Sequence, residues 1–238
     1  MVKKKRAASD QKQFQNGVTP TELARRYPRL YHMAEVDSWP SIQRHGLLST
    51  TALLTLFDLK GAARDRIESA HRPTSVPINH ERYGQAVVRD QIPMRDADLR
   101  RCLRDGLTPA EWYRILNGKV FFWVTEERLE TLLSARAYRD RTHTVLVLET
   151  QTLVEDHLEH VLLSPMNSGC TIPFARPRGR ETFRALSDYP FEARRRGAGI
   201  NAVVELAVEQ GVYNVEKYAI EVREQKAGRK GRVIWRRG

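Results

Sequence analysis

The sequence contains few cysteines and no long apolar run. Its two cysteines, Cys102 and Cys170, lie far apart and form no CxxC pair, so neither a zinc site nor a disulfide framework is expected. The lysine-rich start, Met1–Ala8, leads into polar residues rather than an apolar segment, which argues against a secretory signal. No stretch approaches the length of a membrane span. These absences predict a cytoplasmic chain with no metal and no membrane partner.

Several common ligand-binding motifs are also missing. The sequence has no GxGxxG segment, no P-loop, no HExxH and no GxSxG. Rossmann, kinase-like, zinc-protease and α/β-hydrolase functions therefore lose support, and the chemistry has to be sought in looser combinations of residues.

What the chain has in excess is positive charge. Lysine and arginine number 40 against 29 acidic residues, giving a formal charge of +11. Such a surplus favours phosphate-rich ligands through steering and counterion release, although it also serves solubility alone. Arginine binds phosphate well because its planar fork donates two parallel hydrogen bonds. The arginines gather at residues 25–26, 100–101, 176–180, 194–196 and 236–237.

The pattern along the chain predicts a single α+β domain. Residues 1–17 read as a disordered basic arm, and residues 18–238 as the domain. We expect a central mixed sheet with helices between the early strands, including one long helix from Thr51 towards Ala70. A helical insertion is expected at about 90–117, and a Gly-, Pro- and Arg-rich substrate loop at about 167–199.

Three strand positions carry candidate chemistry, and each has a structural alternative. His32, late in a short strand, could aim its imidazole at a ligand, or be a satisfied core histidine. The strand Phe121–Val124 could supply a flat wall for a base, or form part of the core. Glu205, in an alternating strand, could be a carboxylate in a cleft or an ordinary exposed side chain. Arg82 and Arg89 flank Tyr83-Gly84, and arginines beside a Gly-containing loop suit a diphosphate or form a solvated face.

Four segments of the chain are informative together: LYHMAEVDSWPSIQRHGLLST (Leu30–Thr50), VFFWVTEERLETLLSA (Val120–Ala135), SPMNSG (Ser164–Gly169) and NAVVELAVEQGVYNVEKYAIEV (Asn201–Val222). They resemble the ADP-ribosyltransferase superfamily, and most of all the branch of DarT-type DNA-modifying toxins and a related uncharacterised bacterial family. The resemblance covers most of 30–222 in order, while Asp90–Asn117 has no counterpart in the toxin branch.

The resemblance implies a split mixed β-sheet that clamps NAD between its halves. Glu205 matches the catalytic glutamate of the family. The NAD-binding positions match His32, Arg89, Phe122, Trp123 and Arg128. The substrate loop precedes the catalytic strand, so its arginines are expected to bind nucleic acid, namely Arg176, Arg178, Arg180, Arg194, Arg195 and Arg196. The toxin branch has a Tyr-rich second motif continued by Pro-Arg-Ser, where this chain has Phe-Phe-Trp and then Thr-Glu-Glu-Arg.

The residue types suit this reaction independently of the resemblance. Cleavage of the glycosidic bond of NAD passes through an oxocarbenium-like state, which a carboxylate stabilises before it takes a proton from the acceptor. We therefore expect an NAD-dependent ADP-ribosyltransferase acting on nucleic acid, in the role of a bacterial toxin or anti-phage effector with an antitoxin or immunity partner. Five alternatives remain open. Three are enzymes: a protein-directed transferase, an NAD glycohydrolase and an RNA 2′-phosphotransferase-like enzyme. Two are not: a non-catalytic nucleic-acid-binding module and a protein that docks an acidic partner.

Overall fold

A computed structural model describes residue 14 and residues 17–238. The expected basic arm, residues 1–17, lies outside the described residues except for Phe14 and Gly17. Phe14 packs against the main core, and its carbonyl oxygen accepts a hydrogen bond from the Gly17 N–H at 3.1 Å. In the described part of the chain, no helix is long and apolar enough to cross a membrane.

The strands form one large sheet and two small ones. They are β1 (Arg29–Ala34), β2 (Leu47–Leu48), β3 (Val76–His80), β4 (Gly84–Val88), β5 (Lys119–Trp123), β6 (His143–Glu149), β7 (Val161–Ser164), β8 (Arg184–Ala185), β9 (Glu205–Glu209), β10 (Gly211–Val212), β11 (Ala219–Lys226) and β12 (Arg229–Arg236). The eight-stranded main sheet has the order β12-β11-β6-β1-β5-β9-β7-β8, and the small sheets pair β10 with β2 and β3 with β4.

The expected α+β class is confirmed, but the expected mixed sheet is wrong. Within the described residues, every pair of neighbouring strands in the main sheet is antiparallel. Most of these pairs join segments far apart in the chain, such as β1 with β6. Their direction is fixed by tertiary packing rather than by a local turn, so the hydrophobic pattern of one strand does not reveal it.

An opening interrupts the middle of the main sheet. Among the described strands, β1 and β5 share a single residue pair, Tyr31 with Trp123, whereas β1 pairs with β6 over six positions. Beyond that pair the two backbones separate, and the side chain of His32 bridges them by a hydrogen bond from Nδ1 to the Phe121 carbonyl oxygen at 2.8 Å. β1 and β5 are thus joined at one residue pair, and the side chain of His32 partly fills the gap between them.

Helices cover the sheet and enclose the gap. The described α-helices are α1 (Pro20–Arg26), α2 (Trp39–His45), α3 (Thr50–Leu56), α4 (Gly61–Glu68), α5 (Asp96–Cys102), α6 (Pro109–Asn117), α7 (Glu126–Leu133), α8 (Thr150–Asp156) and α9 (Phe191–Ala198). Thr19 and Thr108 cap the starts of α1 and α6. Each threonine side chain accepts a hydrogen bond from the backbone N–H of the glutamate three residues later, Glu22 or Glu111. The glutamate side chain accepts one from the threonine N–H, which completes a capping box.

Two expectations about helices need correction. The long helix expected from Thr51 towards Ala70 is two helices, because Asp58 and Gly61 adopt left-handed backbone angles, φ 53° and φ 56°, that end one helix before the next begins. The expected loop 167–199 is irregular only in its first half. Its second half contains a short 3₁₀ turn at Arg180–Thr182, strand β8 and helix α9.

The helical insertion has a small core of its own. Trp112, Leu99 and Met94 are buried there, and the half-buried ring of Phe121 from β5 packs against them. This contact fixes the insertion against the β5 side of the gap, so the segment that leads into it, Asp90–Met94, forms one wall of the space described next.

Candidate functional site

A cavity of about 490 Å³ lies at the gap between β1 and β5. Its walls come from β1, the β3–β4 hairpin, the Asp90–Met94 segment, β5 and the loop 167–169. Most of the residues that the sequence proposed for an NAD site line this one cavity, namely His32, Arg89, Phe122, Trp123 and Glu205. Arg128, on the first turn of α7, is not among the lining residues of the described chain.

Glu205 begins strand β9 beside the cavity. It is the partner of Trp123 on β5 and of Ser164 on β7, and it is only 4% exposed. Its Oε2 accepts two hydrogen bonds from Ser168, one from the backbone N–H at 3.0 Å and one from the hydroxyl at 2.7 Å. No hydrogen bond to Oε1 is formed within the described chain, so Oε1 is the oxygen available to a ligand.

The environment of Glu205 favours the neutral acid more than water does. Burial raises the pKa of Glu205 to about 7 from an ordinary value of 4.5. The hydrogen bonds from Ser168 and the charges of Arg178 and Arg128 lower this pKa without offsetting the burial. A carboxylate with a pKa near 7 can accept and release a proton near neutral pH.

Arg178 stabilises the loop whose Ser168 donates hydrogen bonds to Glu205. Its three guanidinium nitrogens donate to backbone carbonyl oxygens: Nη1 to Ser168 at 2.8 Å, Nη2 to Cys170 at 2.8 Å and Nε to Arg176 at 3.1 Å. The residue is 2% exposed. This corrects the expectation that Arg178 meets nucleic acid at the surface, because its donors are already used inside the protein.

Removing Arg178 tests this support. We expect Arg178→Met to lower the free energy of unfolding by about 2–3 kcal/mol, because three backbone carbonyl oxygens, one of them buried and two partly buried, lose a charged donor. We also expect the pKa of Glu205 to rise above 7, since the Arg178 charge lowers it. Urea denaturation and NMR titration of the Glu205 carboxyl measure the two effects. The control is Arg180→Met, whose side chain is exposed two residues away; equal effects in both variants would contradict the role of Arg178.

His32 presents an acceptor towards the cavity. Because the Phe121 carbonyl oxygen can only accept, Nδ1 carries the hydrogen of that bond and Nε2 of the neutral ring carries a lone pair. The pKa of His32 is lowered to about 4 by burial, with a smaller contribution from the nearby charge of Arg89, and the bond to Phe121 opposes both. At neutral pH the ring is therefore uncharged and can accept a hydrogen bond from a ligand hydroxyl.

The two aromatic residues of β5 occupy different environments. Phe122 is 1% exposed in the main core, with its ring centroid 5.8 Å from that of His32. Trp123 is half-buried and packs at the edge of the cluster around Tyr31. Alternation along the strand turns the two side chains to opposite faces. Trp123 is therefore the residue with ring surface left for a ligand, and Phe122 supports the ring of His32.

Arg89 follows β4 and brings a partly unpaired guanidinium to the cavity. Nη1 donates to the Met33 carbonyl oxygen at 3.2 Å, Nε lies 3.9 Å from a Glu35 carboxylate oxygen, and the group sits 5.2 Å from the centroid of the Tyr138 ring. Nη2 is buried and, among the described residues, has no hydrogen-bond partner. Burial lowers the pKa of Arg89. A buried donor without a partner is rare in folded proteins and indicates room for an acceptor from outside.

The remaining predicted arginines lie outside the cavity. Arg128 donates from Nη2 to the Asn201 side chain. Arg176, Arg180, Arg194, Arg195 and Arg196 are exposed, and Arg195 is paired with Glu192 at 2.8 Å. Ser168 lies in the SPMNSG segment, but its role is not predictable from the sequence, because a hydroxyl that orients a carboxylate has no spacing pattern to identify it.

Comparisons with known proteins give one match. A model of a family of unknown function, DUF7002, matches residues 28–219, which include every residue of the cavity. No curated protein and no solved structure matches the chain.

Proposed function

The chain belongs to DUF7002, a family of unknown function, and we propose that it is an NAD-dependent ADP-ribosyltransferase that modifies nucleic acid, either DNA or RNA. One observation carries the proposal. A single cavity combines a neutral histidine, a guanidinium with a free donor, a half-buried indole and a buried carboxylate, all from segments far apart in the chain. The chemistry of NAD cleavage calls for this set of groups.

The cavity residues suit the parts of NAD. The Arg89 guanidinium supplies positive charge and a free N–H for the diphosphate. The Nε2 lone pair of His32 accepts a hydrogen bond from a ribose hydroxyl. The Trp123 ring offers a surface for the nicotinamide. A volume of about 490 Å³ lies within the range of small-molecule sites.

Glu205 would act on the ribose and on the acceptor. When the bond between the ribose carbon and the nicotinamide nitrogen breaks, the electron pair leaves with the nicotinamide and positive charge develops on the ribose. A carboxylate at Oε1 stabilises that charge, and it takes the proton of the acceptor as the new bond forms. The two Ser168 hydrogen bonds fix the carboxylate in place through its other oxygen.

A nucleic-acid acceptor is supported by exposed residues of the segment that holds Glu205 through Ser168. The segment that contains Ser168 continues into Phe174, which is 83% exposed, and into the exposed Arg176 and Arg180. Exposed arginines suit phosphates, and an exposed aromatic ring can stack on an unpaired base. A toxin or anti-phage role, with an antitoxin or immunity protein as partner, is part of the proposal.

Incubation with NAD labelled in its adenylate half tests the function. Separate reactions contain single-stranded DNA, duplex DNA, RNA or protein, and products are resolved by size. The proposal predicts label on nucleic acid and its loss in Glu205→Gln. Label on protein would make the chain a protein-directed transferase, and free ADP-ribose alone would make it a glycohydrolase. Unconsumed NAD together with salt-sensitive oligonucleotide binding would contradict an enzyme and favour a binding module.

A further inference from the structure

The Asp90–Met94 segment, which has no counterpart in the resemblance, places a second unpaired polar group in the cavity. Gln91 lines the cavity and is 9% exposed, and its Oε1 is buried without a hydrogen-bond partner in the part of the chain that the structure describes. A buried amide oxygen in this state is disfavoured until something donates to it. The side chain therefore offers a binding function that the protein itself does not use.

The backbone of Gln91 is held firmly. Its N–H donates to the Arg72 carbonyl oxygen at 2.7 Å, and its own carbonyl oxygen accepts from His71 Nε2 and from the Met94 N–H, both at 3.0 Å. On either side, Ile92 packs with the Tyr31 cluster and Met94 lies in the insertion core. The backbone that carries the carboxamide is thus held in place before any ligand arrives, which favours selective recognition.

Neighbouring polar groups in the same wall are satisfied by the protein. Arg72 donates from Nε to the Arg89 carbonyl oxygen at 3.0 Å and from Nη2 to Asn117 Oδ1 at 2.9 Å. The Asn117 amide nitrogen donates to a backbone carbonyl oxygen at 2.7 Å. In the described chain, the buried lining atoms without partners are Arg89 Nη2 and Gln91 Oε1. Arg89 Nη2 is a charged donor and suits an anion. Gln91 Oε1 belongs to a carboxamide, which pairs with a ligand edge that has a donor beside an acceptor.

We propose that Gln91 reads an amide-like edge of the dinucleotide, with one donor and one acceptor side by side, while Arg89 meets its diphosphate. This inference rests on the proposed use of NAD. NAD carries two such edges, the carboxamide of nicotinamide and the N6/N7 edge of adenine, and glutamine pairs with either in the same bidentate way. Gln91 would then select the dinucleotide through a residue of the insertion.

Two NAD analogues distinguish the two edges. Nicotinic acid adenine dinucleotide replaces the carboxamide by a carboxylate, which has no donor. Nicotinamide hypoxanthine dinucleotide replaces the adenine amino donor by a carbonyl acceptor. We expect the full-length wild type to bind one analogue about tenfold or more weakly than NAD, and to bind the other with nearly the affinity of NAD. The weak analogue identifies the edge that Gln91 contacts.

Gln91→Met completes the test, because methionine has a similar shape and no polar edge. This variant is expected to bind NAD about tenfold more weakly and to bind NAD and both analogues alike, with an unliganded melting temperature no lower than that of the wild type. The control is Gln85→Met, an exposed glutamine of the same cavity, which should keep the discrimination.

The outcomes separate the two proposals. A wild type that binds NAD and both analogues equally, or a Gln91→Met variant that still discriminates, overturns the role of Gln91 alone. A lower melting temperature in Gln91→Met would also overturn it, because the amide would then have a partner inside the protein. A wild type that binds none of the three dinucleotides overturns the proposed function, and the role of Gln91 with it.

Discussion

Replacing Glu205 with glutamine is expected to reduce the rate of ADP-ribosyl transfer by on the order of 1000-fold, while the folded protein becomes more stable at pH 8. The amide keeps the shape of the side chain, and Ser168 can still donate both hydrogen bonds to its oxygen. What is lost is the negative charge that stabilises the ribose cation and the base that takes the acceptor proton. Single-turnover kinetics with labelled NAD measure the rate.

The gain in stability follows from the pKa. Because the folded-state pKa of Glu205 is raised to about 7 from 4.5, the native protein binds more protons than the unfolded chain between these values. Glu205 by itself therefore contributes a loss of stability as pH rises from about 4.5 to about 7, about 3 kcal/mol in total, which the comparison with Glu205→Gln isolates from the other titrating groups. Glu205→Gln does not carry this loss, so the two proteins should diverge over that range and remain apart at pH 8.

Glu209→Gln is the matched control. Glu209 lies on the same strand and face, but its side chain is 42% exposed and paired with Lys119 at 3.5 Å. This variant should leave transfer nearly unchanged and should not reproduce the gain in stability at pH 8. If Glu205→Gln were less stable than the wild type at pH 8, or transferred ADP-ribose at the wild-type rate, the account of Glu205 would be wrong.

Replacing Arg89 with methionine has the second largest expected effect, a loss of NAD affinity of about 100-fold. The variant removes a charge and a free Nη2 donor from the cavity, where low polarity strengthens a charge-assisted hydrogen bond. Isothermal titration calorimetry measures the affinity. An NMR titration supplies an independent readout, because the pKa of His32 should rise from about 4 once the Arg89 charge is gone.

Arg82→Met provides the comparison for Arg89. Arg82 lies in the turn of the same β3–β4 hairpin and is exposed outside the cavity, so the same charge is removed from the protein. Equal losses of NAD affinity in the two variants would mean that net charge, rather than the buried guanidinium, accounts for binding. An unchanged affinity in Arg89→Met would remove Arg89 from the site.

Local residue patterns predict several of the helices and strands, whereas the direction in which the strands pair depends on long-range packing. The Thr-Pro-x-Glu pattern marks the helix starts at Pro20 and Pro109 in the sequence, and an apolar run marks β6. The sequence marks neither β3 nor the whole of β12, because Pro77 weakens the pattern of β3 and the first residues of β12 are charged and exposed. The antiparallel direction of the main sheet depends on contacts that no local pattern records.

The candidate site shows the same contrast between residues that the sequence indicates and residues that only the folded chain reveals. His32, Trp123 and Glu205 could be nominated because each lies on a strand with a distinctive residue type. Arg178 is expected to bind nucleic acid together with the other arginines of the loop that precedes Glu205, but the structure turns its side chain inward onto three carbonyl oxygens. Gln91 had no distinguishing feature in the sequence, because its importance depends on the partners that it lacks in the folded chain.

A crystal structure of the Glu205→Gln variant with NAD tests the central claim most directly, since the substitution slows turnover and keeps the cavity intact. The account predicts the dinucleotide in the gap between β1 and β5, with a ribose hydroxyl at His32 Nε2 and the diphosphate at Arg89 Nη2. NAD bound elsewhere on the protein, or an empty cavity at a saturating concentration of NAD, would contradict it.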